Sequence, residues 1–330
     1  MSRKNSIVGM GNPLVDIIVR VDDDFIKKLG FKKGSMNHVD LKRRDEILEK
    51  AKKYSVEKVT GGSVANTIIG LSELGISTSY IGKLGEDRNG EFFYNDMNDN
   101  KIKTYFKYGE AGTGTAICLI TKDSERTFAT YLGAAIELDA KDLVYNEFEG
   151  SENFFLEGYM VQNHKLVKHS VDLARKAGNK IIIDLASFNV VEENREFLNG
   201  IVSEYVDIIF ANEEESEAFT GLSDPEEGLK KISELCDIAV VKIGSRGSLI
   251  MKNERKYSIK AELTKAVDTT GAGDLYASGF LYGIAKGLPM EKCGNIGSIL
   301  AREIVETFGA KIDPDRWDSL KEKISEVESL

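Results

Sequence analysis

Asp274 closes the run Asp268-Thr269-Thr270-Gly271-Ala272-Gly273-Asp274. Its glycines leave backbone N–H groups uncovered where a helix should begin, and a helix start offers donors and a positive dipole end to an anion. Asp274 falls in the first turn of that helix. There it can take a proton from an attacking hydroxyl while the N–H groups hold a transferring phosphoryl group. The alternative is a capped, glycine-rich loop in which Asp274 merely suits a helix N-terminus. Spacing alone leaves both open.

Four other runs carry similar choices. Gly61-Gly62-Ser63-Val64-Ala65-Asn66 opens a helical stretch, Thr67–Leu74. Its glycines admit a ligand close to the backbone, and Asn66 can bond a diol, unless this is an ordinary helix start. Gly9-Met10-Gly11-Asn12-Pro13-Leu14-Val15-Asp16 follows the first apolar run. Ligands of open α/β sheets bind beyond the carboxyl ends of strands, so Asp16 can grip two adjacent hydroxyls; a solvated Asp after a turn is the alternative. Asn212-Glu213-Glu214-Glu215 follows the apolar Val206–Ala211. Its oxygens suit a hydrated Mg²⁺ that carries phosphates, although an acidic helix N-terminus is the plainer reading. Lys242-Ile243-Gly244-Ser245-Arg246-Gly247 is either a tight hairpin or a close backbone approach to a nucleotide.

Arg126, in Asp123-Ser124-Glu125-Arg126, can close over a phosphate or stand as a surface arginine. Tyr159 and Phe188 follow strands, where they stack on a ring or pack in the core. His38, His164 and His169 show no metal spacing. A Gly-x-x-x-x-Gly-Lys-Ser/Thr loop is absent, and no Gly-x-Gly-x-x-Gly joins a strand to a helix, which disfavours P-loop and nicotinamide chemistry.

Buried strands must position these runs. Ser6–Met10, Thr78–Gly82, Asn153–Leu156, Lys180–Asp184, Val206–Ala211 and Ile238–Ile243 are short and apolar, and most precede a helical pattern. In Asn163–Ala177 the apolar spacing is close to a helical period, and Gly178 closes that helix. The alternation predicts an α/β fold, a mostly parallel sheet with helices on both faces. Ile17–Val21 with Gly34–Leu41, and Ile102–Leu132, break the pattern and read as antiparallel strands of a separate small sheet, a lid. Helices resume from Thr270, with a closing one after Pro314.

The 330 residues, 42% hydrophobic, suffice for a sizeable core. Four prolines leave little room for long disordered linkers. A net charge of −10 disfavours nucleic acid and anionic membrane as partners but permits a local positive pocket for a small phosphorylated ligand. Cys118, Cys236 and Cys293 lie far apart, so neither disulfides nor a thiolate metal site is indicated, and a cytoplasmic setting is expected. From Met1 to Gly11 no signal-peptide core is found.

Taken in order, these runs resemble the ribokinase-like family, the PfkB carbohydrate kinases. The Gly61–Asn66 run, with Leu74-Gly75 and Gly82–Asp87, is similar to the family's first pattern; Asp268–Asp274 is similar to the second, and Asn212-x-x-Glu215 to its Mg²⁺/phosphate motif. The resemblance implies one ribokinase-like domain over 1–330, with a lid from segments about 12–44 and 100–133. It implies Asp274 as base, Gly271, Ala272 and Gly273 as anion hole, and Asn212 and Glu215 organising Mg²⁺ through water. Lys242, Gly244 and Gly247 match the nucleotide loop; Asn12, Asp16, Gly62, Ser63 and Asn66 match acceptor positions, and Arg126 joins them from the lid. ATP and Mg²⁺ are the implied cofactors, and many members also use K⁺ near the anion hole.

Gly11–Asp16, Gly34-Ser35-Met36-Asn37 and Tyr205–Glu213 look like the adenosine kinase branch. The expected activity is ATP-dependent phosphorylation of a nucleoside or sugar hydroxyl. The alternatives are a ribose, fructose or keto-deoxy sugar acid kinase, or a regulatory protein that binds such a ligand without turnover. The expected assembly is a monomer or a homodimer.

Overall fold

The computed structural model describes residues 6–123, 125–262, 264–307 and 309–329. Met1–Asn5, where the signal-peptide reading starts, and Ser124, beside Arg126, lie outside the described residues. A large sheet runs in the order Arg255–Ile259, Ser248–Lys252, Ile238–Lys242, Ile208–Asn212, Lys180–Asp184, Asn153–Glu157, Ser6–Met10, Ser77–Gly85, Lys103–Gly109. From Ile238–Lys242 across to Lys103–Gly109 every pairing is parallel; the two strands at the other edge are antiparallel.

Period-2 alternation divides these strands between two cores. Ile7, Phe155, Ile182, Phe210 and Val240 point to one face, where helices Ser63–Glu73, Ala272–Ala285 and Met290–Val305 cover them. Val8, Phe154, Ile183, Ile209 and Val241 point to the other, under helices His164–Lys176, Arg195–Tyr205 and Pro225–Ser233. Strands buried on both faces have to read as continuous apolar runs. The helix His164–Lys176 ends as expected: Gly178 takes φ +80°, and Asn179 N–H donates to Ala174 O at 2.9 Å. Among the described residues, no helix is long and apolar enough to cross a membrane.

A second sheet has the order Met36–His38, Arg126–Tyr131, Gly114–Ile120, Leu14–Arg20, Val56–Gly61. It differs from expectation in three ways. Lys103–Gly109, inside the 100–133 segment, extends the large sheet instead. Val56–Gly61 is an added edge strand, whose charged and exposed start hides any alternation. Finally, Leu14–Arg20 pairs parallel with Gly114–Ile120, and Met36–His38 parallel with Arg126–Tyr131. Only Gly114–Ile120 and Arg126–Tyr131, joined by a short turn, and the pair Leu14–Arg20 with Val56–Gly61 are antiparallel. A tight turn forces antiparallel pairing, while long connections through the large sheet do not.

One face of this sheet buries Val15, Ile17, Val19, Ile117 and Leu119 in the first core. The opposite face carries Leu14, Asp16, Ala116 and Phe128, which line a cavity. Of the passages between the sheets, the one at Gly11–Pro13 and the one that starts at Gly62 lie beside that cavity, which Asn12 and Gly62 line.

Candidate active site

Two cavities adjoin at the carboxyl ends of the parallel strands. The larger, ≈ 930 Å³, is lined by Asn12, Asp16, Gly62, Ser63, Asn66, Asp274 and others. The smaller, ≈ 390 Å³, is lined by Gly244, Gly247, Ala272 and others. Asn212, Lys242 and Gly273 line both.

Asp274 sits at this junction, held from a second helix. Ser63 Oγ donates to its Oδ1 at 2.7 Å and Asn66 Nδ2 to its Oδ2 at 2.8 Å. Thr67 Oγ donates to the Asp274 carbonyl at 3.1 Å, which fixes the two helices against each other. Burial pushes the Asp274 carboxyl above its ordinary range, while Asn66, Ser63 and Lys242 pull it back. A carboxylate so held can accept a proton from a hydroxyl in the larger cavity.

The helix start below Asp274 depends on Gly271. Its φ is +77°, and a Cβ there would come within 2.7 Å of the Ala310 Cβ. The N–H groups of Gly271, Gly273 and Asp274 have no acceptor among the described residues. Ala272 differs from expectation: its N–H donates to Thr269 O at 3.2 Å, closing the turn, so it is not an open donor. Gly271 itself lies off both cavity walls, packed on Ala310.

Asn212 and Glu215 form a reciprocal cap. Glu215 N–H donates to Asn212 Oδ1 at 2.8 Å, and Asn212 Nδ2 donates to Glu215 Oε1 at 2.7 Å. The plainer helix-start reading therefore holds, and both residues still face the larger cavity. Burial raises the Glu215 carboxyl above its ordinary range against the pull of Lys242. Among the described residues no three His, Cys, Asp or Glu side chains gather to hold a metal. The donor set thus fits a hydrated divalent ion carried mainly by phosphates. The Lys242–Gly247 run is likewise both things at once, a hairpin connection between antiparallel strands and a wall of the smaller cavity. Gly244 has φ +58° and open space where a side chain would be, which suits a flat ligand laid on backbone.

Sequence reasoning missed two carboxylates. Glu157 ends a buried strand and accepts from Asn12 Nδ2 at 3.1 Å, Asn12 N–H at 3.3 Å and Val64 N–H at 3.4 Å. Burial raises it to about 7. Asp184 ends the next strand and accepts from Lys242 Nζ at 2.8 Å. Burial lowers the Lys242 ammonium, but Asp184 and Glu215 outweigh it and the net shift is upward. The available signal was an acid closing an otherwise apolar run. Asp16 faces the larger cavity, its carboxyl pushed up by burial and by Asp274.

Arg126 faces neither cavity. Its guanidinium pairs with Asp268 and bonds the Thr270 hydroxyl, tying the second sheet to the loop below Asp274. Asp268 also accepts from Thr270 N–H at 2.7 Å and Gly309 N–H at 2.5 Å. Both its oxygens are engaged, and Arg126 balances its charge. Tyr159 lines the larger cavity, whereas Phe188 is exposed and lies off its wall.

A parallel α/β sheet with two cavities meeting at a glycine-rich helix start suits a phosphotransferase with an alcohol acceptor, and the comparisons show that class. The model described as pfkB family carbohydrate kinase matches residues 30–317. The chain belongs to that family, and ATP use, typically with Mg²⁺, comes with membership. It is 31% identical over 273 residues to an uncharacterized sugar kinase of Archaeoglobus fulgidus, covering 74% of this chain and 97% of that one. It is 29% identical to a nucleoside kinase of Methanocaldococcus jannaschii, with 82% and 87% covered. The crystal structure of adenosine kinase from Sinorhizobium meliloti superposes with a TM-score of 0.87 at 29% identity, over 98% of this chain and all of that one.

Proposed function

We propose that the protein transfers the γ-phosphoryl group of ATP to a hydroxyl of a nucleoside, with Asp274 as general base. The observation that carries this reading is the junction: the two cavities share only Asn212, Lys242 and Gly273 as wall, with Asp274 beside it in the larger one. An acceptor in the larger cavity and ATP in the smaller then meet in line. Asn12, Asp16, Gly62, Ser63 and Asn66 orient the acceptor hydroxyls. Gly244 and Gly247 bed the nucleotide, and the open N–H groups around Gly271–Gly273 receive the phosphoryl oxygens. Asn212 and Glu215 would hold Mg²⁺ through water, where it screens phosphate charge. Lid closure by the second sheet would exclude water.

A nucleoside is favoured over a plain sugar by the size and lining of the larger cavity. Its wall holds Asp16, Asn66 and Asp274 and also the large apolar or aromatic side chains of Met36, Phe128, Leu132, Ile136 and Tyr159. Such a mixed wall suits a ribose joined to a flat base.

Two experiments test the reading. ADP release with adenosine, inosine, guanosine, ribose and fructose is expected to favour a nucleoside; turnover of the sugars alone would replace that acceptor. Nucleoside binding without turnover across the panel would mark a binding protein instead. Asp274→Asn is expected to lower kcat by about 10²–10⁴ while acceptor binding survives.

A further inference from the structure

We infer that Lys242 is a catalytic residue of the transfer, its ammonium turning from Asp184 to bind the phosphoryl group as it crosses between the cavities. Asp184 is the positioning residue that holds Lys242 at that crossing between turnovers. This rests on the kinase reading above.

The shared wall offers few other groups. Gly273 has no side chain, and a Cβ built there would lie 3.1 Å from Lys242 Nζ, so the ammonium abuts the open helix start. Asn212 is uncharged and bonded to Glu215 in its cap. Among the described residues Lys242 is the only cation lining both cavities; Arg302, which lines the smaller one alone, is paired with Glu262 at 2.6 Å. The charges facing Lys242 are Asp184, Glu215 and Asp274.

Phosphoryl transfer spreads negative charge over three equatorial oxygens, and a cation placed at the crossing adds to what backbone donors and Mg²⁺ would supply there. A bond forms between the acceptor oxygen and the γ-phosphorus as the bond to the bridging oxygen breaks. The hydroxyl proton passes to Asp274, and the electron pair of the broken bond leaves on ADP. Lys242 stays protonated and supplies charge only. A buried ion pair is a weak source of stability, since well-packed apolar residues often do as well. The position of this pair at the crossing gives it a use that stability does not.

The test compares wild type with Lys242→Met, the double variant Asp184→Asn/Lys242→Met, and Asp274→Asn. Lys242→Met leaves Asp184 buried without its partner, so its melting temperature falls; the double variant removes both charges and recovers it. The inference expects the double variant to fold yet stay slow, with kcat down by about 10²–10³ and acceptor KM little changed. It also expects affinity for β,γ-methylene-ATP to fall relative to ADP, which lacks the γ-phosphoryl group. A double variant with wild-type kcat would overturn it. So would a double variant that discriminates the two nucleotides as wild type does, whatever the acceptor proves to be. Full turnover by Asp274→Asn would remove the base assignment and leave Lys242 judged by its own variants.

Discussion

Ser63 and Asn66 decide how Asp274 behaves. Each donates to one carboxylate oxygen and so favours the charged form that a base needs. Ser63→Ala removes one donor and lets burial raise Asp274 further. More of the base is then protonated at a given pH, so the acidic limb of the kcat/KM profile is expected to move to higher pH. Gly271→Ala places a side chain at φ +77° against Ala310. A loss of about 2 kcal/mol is expected in urea unfolding, with a fall in turnover. These residues were legible because glycine, amide and acid cluster within a few positions. Glu157 and Asp184 were not, since each is a lone acid whose partner lies on another segment far along the chain. Arg126 was legible as a basic residue of the small sheet, but its partner Asp268 was hidden by sequence distance.

The strand Arg126–Tyr131 is tied to the catalytic loop through that pair, whose Asp268 side chain is fully buried. Breaking a buried pair from one side leaves an uncompensated charge. Arg126→Met is expected to cost about 3 kcal/mol, and Arg126→Met/Asp268→Asn to regain much of it in a double-mutant cycle. Acceptor KM should rise in both variants, because the second sheet loses its tie to the loop beneath Asp274. The strands of the large sheet could be read directly, as continuous apolar runs. The second sheet could be read only in outline. Its strand directions follow from the paths of connections, and Val56–Gly61 has too few buried positions to declare a strand.

The whole molecule stores charge-burial cost at the mouth of its cavities. Glu157 has a folded-state pKa of about 7, against an ordinary 4.5. The native state therefore holds this proton more tightly than the unfolded chain does. The stability it contributes is complete below the unfolded value and is lost as pH rises through about 7. Melting curves between about pH 5 and pH 8 should show Glu157→Gln falling less steeply with pH than wild type. The second sheet has a consequence for synthesis as well. Leu14–Arg20 leaves the ribosome long before Gly114–Ile120, the parallel neighbour it needs. Until then the nascent chain carries an unpaired strand edge, open to mispairing with other chains. The roof over the acceptor cavity is thus completed late, and a chain stalled before Gly114 exposes that edge in its place.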